Sequence, residues 1–539
     1  MIKKGFTLIE LLAVIIIIGI IAVIAVPSIL KVINNAKKSG FENATYGIIR
    51  AVKIGYTNDM LTGDEEPIMF TYIDGVETAS VPGKIIDYEG EKPKTGTIKL
   101  DIDGDIAVAI HDGTYCAEKD YKDSIISISE KPEADCTLYT YYSKDKGVNA
   151  PILTSGMTPI KWTGTTWVDT IEKDSNWYNY YTKDWANVRT ADGSFWVWVP
   201  RYAYQIESGF HTNTAGTINV KFLIDKTDKT MDKTGISLTP TYNGSNQTNY
   251  VIHPAFNFDG DDLPGIWVAK FEPSVANQSD LCYTNEHETY CNKTNLVAKI
   301  IPNVKSWRHI EVGNAFDVSL AMKDNITYGW QASEVDTHMM KNSEWGAVAY
   351  LSNSTYGKNG EVWVNPSEDF ITGCAGGSVS APLTSTCNQY QTINGVKAST
   401  TGTIYGIYDM VGGAWERVTS YINNSSPFLA TYGSSILNAN NKYKDVYAIG
   451  SPDAGANNYQ ANANVFGNAI YETSSTGLSS TSWYGDFSQM PFSSNPWLVR
   501  GGYGYNSVDA GMYSYRQMIG SAATTISFRP VIVVLDSEA

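Results

Sequence analysis

The first apolar pattern along the chain is one unbroken run. From Phe6 to Val26 the only polar residues are Thr7 and Glu10, and Lys3, Lys4 and Gly5 stand ahead of it. These 21 residues, wound as a helix, reach about 31 Å, the thickness of a bilayer's hydrocarbon core. The lysines orient the N-terminus to the cytoplasm, and the run is too long for an ordinary secretory signal. Further on, Ala44, Ile48 and Val52 recur every four residues, which predicts an amphipathic helix continuing to residue 56. Gly40 and Gly47 each loosen that helix by about 1 kcal/mol relative to Ala.

Beyond the helix the period changes to two. KIIDYEG and TIKLDIDGDIAVAI alternate as strands, with a hairpin turn near Asp103. DIDGD has the start of a calcium loop, but Ile106 and Asp112 stand where the EF-hand pattern needs Gly and Glu. Residues 57–142 therefore read as a small β-rich head. Residues 143–158 mix Lys, Gly, Pro and Ser without apolar periodicity and read as a linker. Residues 159–539 follow as a large region. It contains a β-type aromatic run from Phe195, a turn-rich stretch leading into a strand from His253, helical spacing from Asn342, and a closing apolar strand from Ser527. The fold class is α+β throughout.

Composition narrows the picture. Hydrophobic residues at 43% and charged residues at 18% of 539 give a globular balance, which argues against extensive disorder. A net charge of −16 argues against phosphate-mediated nucleic-acid binding. The six cysteines form three local pairs, Cys116 with Cys136, Cys282 with Cys291, and Cys374 with Cys387, none spaced as CxxC. In an exported chain this predicts three local disulfides, each contributing roughly 2–4 kcal/mol; buried free thiols are the alternative.

Glu10 is the informative residue of the N-terminus. A lone carboxylate in an apolar span costs about 2.5–3.5 kcal/mol on insertion scales, so a partner is expected. Cleavage after Gly5 supplies one: the new α-amino group on Phe6 of a neighbouring copy. KKGFTLIE followed by an apolar helix resembles the class III leader of type IV pilins and secretion pseudopilins, over about the first 55 residues. The resemblance implies cleavage after Gly5 by a membrane-embedded prepilin peptidase, N-methylation of Phe6, and assembly with other pilins through the helix and Glu10.

The large region carries a second resemblance. NSEWGAVAYL, YGIYDMVGGAWERV, RGGY, YSYR and SFRPV resemble, in the same order, motifs of the formylglycine-generating enzyme (sulfatase-modifying factor) superfamily, a variant of the C-type lectin fold. The oxidase members use two cysteines near RGG, whereas Arg500 to Pro530 holds none. A thiolate or copper mechanism has no nucleophile or ligand there, so the expectation is a binding protein, not an enzyme. No HExxH, GxSxG or phosphate-loop motif is present, and Asp259, Asp261 and Asp262 read as an acidic turn. In the enzyme family calcium sits near the W-E motif. Glu416 matches its carboxylate, but Gly413 replaces an Asn; the alternative is that Glu416 accepts backbone hydrogen bonds in a Gly-rich loop. The resemblance places Trp345, Trp415 and Arg529 in the core.

The late segment RGGYGYNSVDAGMYSYRQM is rich in Tyr, Ser and Asn, the residue types that supply rigid aromatic contacts and adaptable hydrogen bonds. Tyr503, Tyr505, Asn506, Tyr513 and Tyr515 are the ligand-contact candidates, the alternative being that several fill the core. The expected whole is a minor type IV pilin at a filament tip. It inserts first in the cytoplasmic membrane and then displays a lectin-like adhesin domain toward an extracellular glycan or protein, without nucleic acid and with no cofactor except a structural calcium. A type II-like secretion pseudopilin and a surface-displayed enzyme are the alternatives.

Overall fold

The computed structural model describes residues 8–62, 68–101, 104–121, 123–138, 141–143, 146–232, 234–277, 291–505 and 510–535, without the side chains at positions 10, 19, 22, 24, 28 and 62. The chain divides into two compact units, Met1–Thr140 and Tyr141–Ala539.

The smaller unit begins with α1 (Leu8–Thr62), a helix that runs on through Pro27. It outlasts the expected end at residue 56 because nothing in TNDMLT breaks a helix, and because Asp59 in its last turns pairs with Lys84 at 2.7 Å. Six strands follow: β1 (Ile68–Ile73), β2 (Val76–Ala79), β3 (Thr95–Leu100), β4 (Ile106–His111), β5 (Tyr115–Lys119) and β6 (Ser127–Glu130). They form one antiparallel sheet in the order β2-β1-β3-β4-β5-β6. At the β3–β4 connection the Asp101 amide donates to the Asp105 carbonyl at 3.0 Å, while Asp103 itself lies outside the described residues.

Phe41, Thr45, Ile48, Ile49 and Val52 of α1 are buried, and the apolar members pack on Phe70, Ile98, Val108, Ile110 and Ala117 of the sheet. Their spacing is that of one helix face. Ala44 lies half-buried at the edge of this stripe. Gly47 has a packing role beyond its propensity. A Cβ there would lie 2.9 Å from the Tyr88 ring, so the missing side chain admits that ring against the helix. Cys116 and Cys136 are bonded, and close the end of this unit.

In the larger unit an antiparallel seven-stranded sheet runs in the order Trp167–Asp169, Thr158–Trp162, Asn187–Arg189, Phe195–Pro200, Gly265–Ala269, Pro530–Val534, Val335–Met339. A second, mixed sheet is centred on Trp415–Ile422 and Trp497–Arg500, with Tyr515–Met518 beside the latter. The closing segment joins both: Ile526–Phe528 runs parallel to Trp415–Ile422, and Pro530–Val534 enters the first sheet. Arg529 is the single residue between these two strands.

Helix α2 spans Val312–Ala321, and α3 (Asn342–Ser352) is buried along its whole length. The core is dominated by fully buried indoles, among them Trp177, Trp196, Trp267, Trp345 and Trp497. Buried tryptophans need acceptors for their N–H groups, and the fold supplies them: Trp267 donates to the Ile152 carbonyl at 2.7 Å and Trp198 to that of Asn149 at 3.1 Å.

Those two bonds correct the expected linker. Residues 143–158 are not a spacer. Val148 and Asn149 are fully buried, Val148–Asn149 pairs with Tyr142–Ser143, and the Asn149 amide donates to the carbonyls of Asp225 and Pro264. Backbone carbonyls serving as acceptors for core tryptophans leave no trace in hydropathy, so a strap of mixed composition reads as loop. The boundary between units falls at Thr140–Tyr141 instead. The acidic turn forms as expected: Asn257–Phe258 pairs with Asp261–Asp262, with Asp259 in the left-handed region at φ 62°.

Candidate functional site

The first candidate site is the N-terminal helix. Gly5 and Phe6 lie outside the described residues, and Glu10 is placed in α1 by its backbone alone. Around it the large apolar side chains described from Leu8 to Ile33 are exposed, from 84% at Leu8 to 43% at Val14. An apolar surface of this extent is an interaction surface. Among the described residues, which omit several side chains of this stretch, no helix is long and apolar enough to cross a membrane.

The second candidate is the late segment. Tyr505 is 65% exposed and Tyr503 is half-buried, their rings 5.6 Å apart. Asn506 lies outside the described residues. Tyr513 and Tyr515 are buried, at 1% and 0%, so they are not contact residues but core. The reason is the strand that carries Tyr515. Its partner Arg500 turns the same way into a pocket of rings, stacking 5.6 Å from Trp345 and from Tyr515. The Arg500 guanidinium and the Trp345 indole both donate to the Met512 carbonyl, which draws residues 512–515 inward. Cys374 and Cys387 are bonded. Cys291 is disulfide-bonded, and its expected partner Cys282 lies outside the described residues.

Glu416 is buried and does not fit a calcium site. Both of its oxygens accept from Arg529, Oε2 from Nε at 2.8 Å and Oε1 from Nη2. The same guanidinium donates to the carbonyls of Ala269 and Tyr408, tying the two sheets together at the residue between them. The backbone amide of the Gly-rich loop, from Ala414, goes not to Glu416 but to Glu272, at 2.9 Å. Asp409 accepts from Asn365 and Gly373, at 2.8 Å each.

Asp409 and Glu416 both feel the Arg529 charge, and Glu272 lies buried beside these two carboxylates. Burial, then the charges of Asp409 and Glu416, pushes Glu272 well up. Sequence reasoning missed Glu272 and Asp409, which are brought to the site only by tertiary packing. Among the described residues no group of three or more His, Cys, Asp or Glu side chains is placed to hold a metal ion. Trp345, Trp415 and Arg529 are all buried.

Two further buried polar groups shape this unit. Lys270 is fully buried and donates to Asn187 Oδ1 and to the carbonyls of Ile404 and Gly406. Its three donors are satisfied by neutral acceptors, and burial pushes its pKa well down. Glu472, 1% exposed, accepts from the Tyr204 and Tyr350 hydroxyls at 2.8 Å each and from the Gly467 amide. Burial outweighs these donors and pushes it up to about 7.

The exposed apolar helix thus continues as the backing of a small antiparallel sheet. Residues 1–26 match the family model described as the prokaryotic N-terminal methylation motif. The chain is accordingly pilin- or pseudopilin-type at its N-terminus, with a leader of the kind that prepilin peptidase processes before assembly with other pilins. No curated protein matches the chain.

Proposed function

We propose that this chain is a minor type IV pilin located at the filament tip, whose large unit is a lectin-like, sulfatase-modifying-factor-like binding domain. The observation that carries the reading is the pairing of a methylation-motif helix with a separate unit spanning Tyr141–Ala539. A globule of about 400 residues has a radius of gyration of about 21 Å, whereas packed helices lie about 8–10 Å apart. Such a globule on every subunit crowds a filament shaft; at the tip it does not. Binding rather than catalysis is supported by the cysteine-free segment from Arg500 to Pro530 and by carboxylates at 272, 409 and 416 that are locked inside the fold. Exposed Tyr505 beside Tyr503 is the contact surface this reading favours.

Immunogold microscopy of sheared filaments, with antibody against residues 159–539, tests it. Label at filament ends is the expected result. Label confined to the cell envelope refutes the tip reading and favours a secretion pseudopilin.

A further inference from the structure

On one face of the second sheet the fold builds a small apolar cluster apart from the main core. Trp415, Val499 and Ile526 are its buried floor, and Phe487, Tyr503 and Met518 pack over them half-buried. Tyr505, 65% exposed, stands 5.6 Å from Tyr503. Arg516 shares this face. It is the in-register partner of Val499, so the two side chains project to the same side, and its guanidinium lies 5.9 Å from the Phe487 ring. The other six arginines of the large unit are engaged. Arg189 pairs with Asp169, Arg201 with Asp262 and Arg529 with Glu416, while Arg308, Arg417 and Arg500 donate to backbone carbonyls. Arg516 is exposed, and among the described residues it forms no ion pair and meets only the Phe487 ring. The chain carries a net charge of −16, which repels anions from most of its surface. An uncommitted guanidinium beside an exposed tyrosine is the local exception.

We propose that this face binds a pyranose carrying a single carboxylate, a hexuronic or sialic acid unit of a glycan. The planar guanidinium presents parallel donors that match a carboxylate in two bonds. Tyr505 supplies an exposed ring against which the C–H face of a pyranose packs, with a hydroxyl at its edge for the sugar's own hydroxyls. One uncommitted cation matches one carboxylate. A peptide with several acids would carry its remaining charges into the repelling field of the chain. This inference rests on the reading of the large unit as a binding domain and names the ligand class of the surface at Tyr503 and Tyr505.

The test uses the full chain in detergent at low ionic strength and three sugar probes. They are methyl β-glucuronide, the methyl glycoside of N-acetylneuraminic acid, and methyl β-glucoside, which keeps the ring of the first and replaces its carboxylate by a hydroxymethyl group. Titrations followed by saturation-transfer NMR give each apparent Kd. The expected result is that an acidic sugar binds at least about threefold more tightly than the neutral one. Arg516→Gln should bring acidic and neutral sugars to equal affinity, and Tyr505→Ala should weaken both by about threefold. Both side chains are exposed, so near-ultraviolet circular dichroism should stay unchanged in either variant. Equal binding of acidic and neutral sugars, binding of none, or a preference that survives Arg516→Gln overturns the inference. So does acetyl-Gly-Glu-Gly-amide binding as tightly as the acidic sugars, which would assign the face to an acidic peptide. Failure of all three sugars with immunogold label still at filament ends refutes this inference alone, and label confined to the envelope with sugar binding intact refutes the tip reading alone.

Discussion

The buried Glu472 makes the large unit's stability depend on pH in a defined direction. Its carboxyl is raised from 4.5 to about 7, by burial against the opposing pull of the Gly467 amide and the Tyr350 and Tyr204 hydroxyls. Below 4.5 the group is protonated in both the folded and the unfolded chain, and its stabilising contribution is complete. As pH rises toward 7 the unfolded chain ionises first and folding stability falls. Above about 7 both states are ionised and the contribution is lost. The gap between 4.5 and about 7 corresponds to about 3 kcal/mol, at about 1.4 kcal/mol per pH unit.

Glu472→Gln keeps the shape and removes the ionisation. All 14 tryptophans, from Trp162 to Trp497, lie in the large unit, so tryptophan fluorescence during urea unfolding of the full chain in detergent reports this unit alone. Glu416, also pushed up by burial, titrates in wild type and variant alike and cancels in the difference. The expected result is that wild type loses about 3 kcal/mol relative to Glu472→Gln between about pH 4.5 and 8. Parallel curves for the two proteins would refute the assignment of an uncompensated buried carboxylate.

Three other outcomes follow from the structure. Arg529→Met leaves Glu416 without its cation and two carbonyls without their donor, and should cost about 3–5 kcal/mol in the same unfolding assay. Gly346→Ala drives a Cβ into the Gly467 carbonyl oxygen, and should destabilise by about 1–3 kcal/mol or more, with a lowered fluorescence melting temperature. Glu10→Ala should leave membrane insertion intact, by fractionation, while abolishing recovery in sheared filaments; normal incorporation refutes the pairing of Glu10 with a neighbouring α-amino group.

How much of this was legible in the sequence depends on the range of the interaction. The helix stripe of Ile48 and Val52, the β3–β4 hairpin, α3 and the closing strand were readable, because each is set by local periodicity or turn chemistry. The strap at residues 143–158 was not, because its contribution is made by backbone carbonyls at Asn149 and Ile152 to indoles far along the chain. Glu416 was singled out by a motif, but its partner Arg529 was placed in the core without the pair being seen. Tyr513 and Tyr515 had the composition of a contact loop, yet the fold turns them inward.

The misreading of the tyrosines and of Glu416 has one physical origin. In a unit whose second sheet is crossed by the closing segment, residues at its ends meet partners more than a hundred positions away, as Glu416 meets Arg529. A buried polar group must then be satisfied at long range or remain orphaned. Composition identifies such groups as polar and places them at the surface. Burial together with a partner list separates the three cases that sequence merges. Arg529 and Glu416 are satisfied and hold the sheets. Glu472 is satisfied by neutral donors and left without a cation. Tyr513 is buried among the Trp483 and Tyr484 rings, and its polar phenol fills the core instead of facing a ligand.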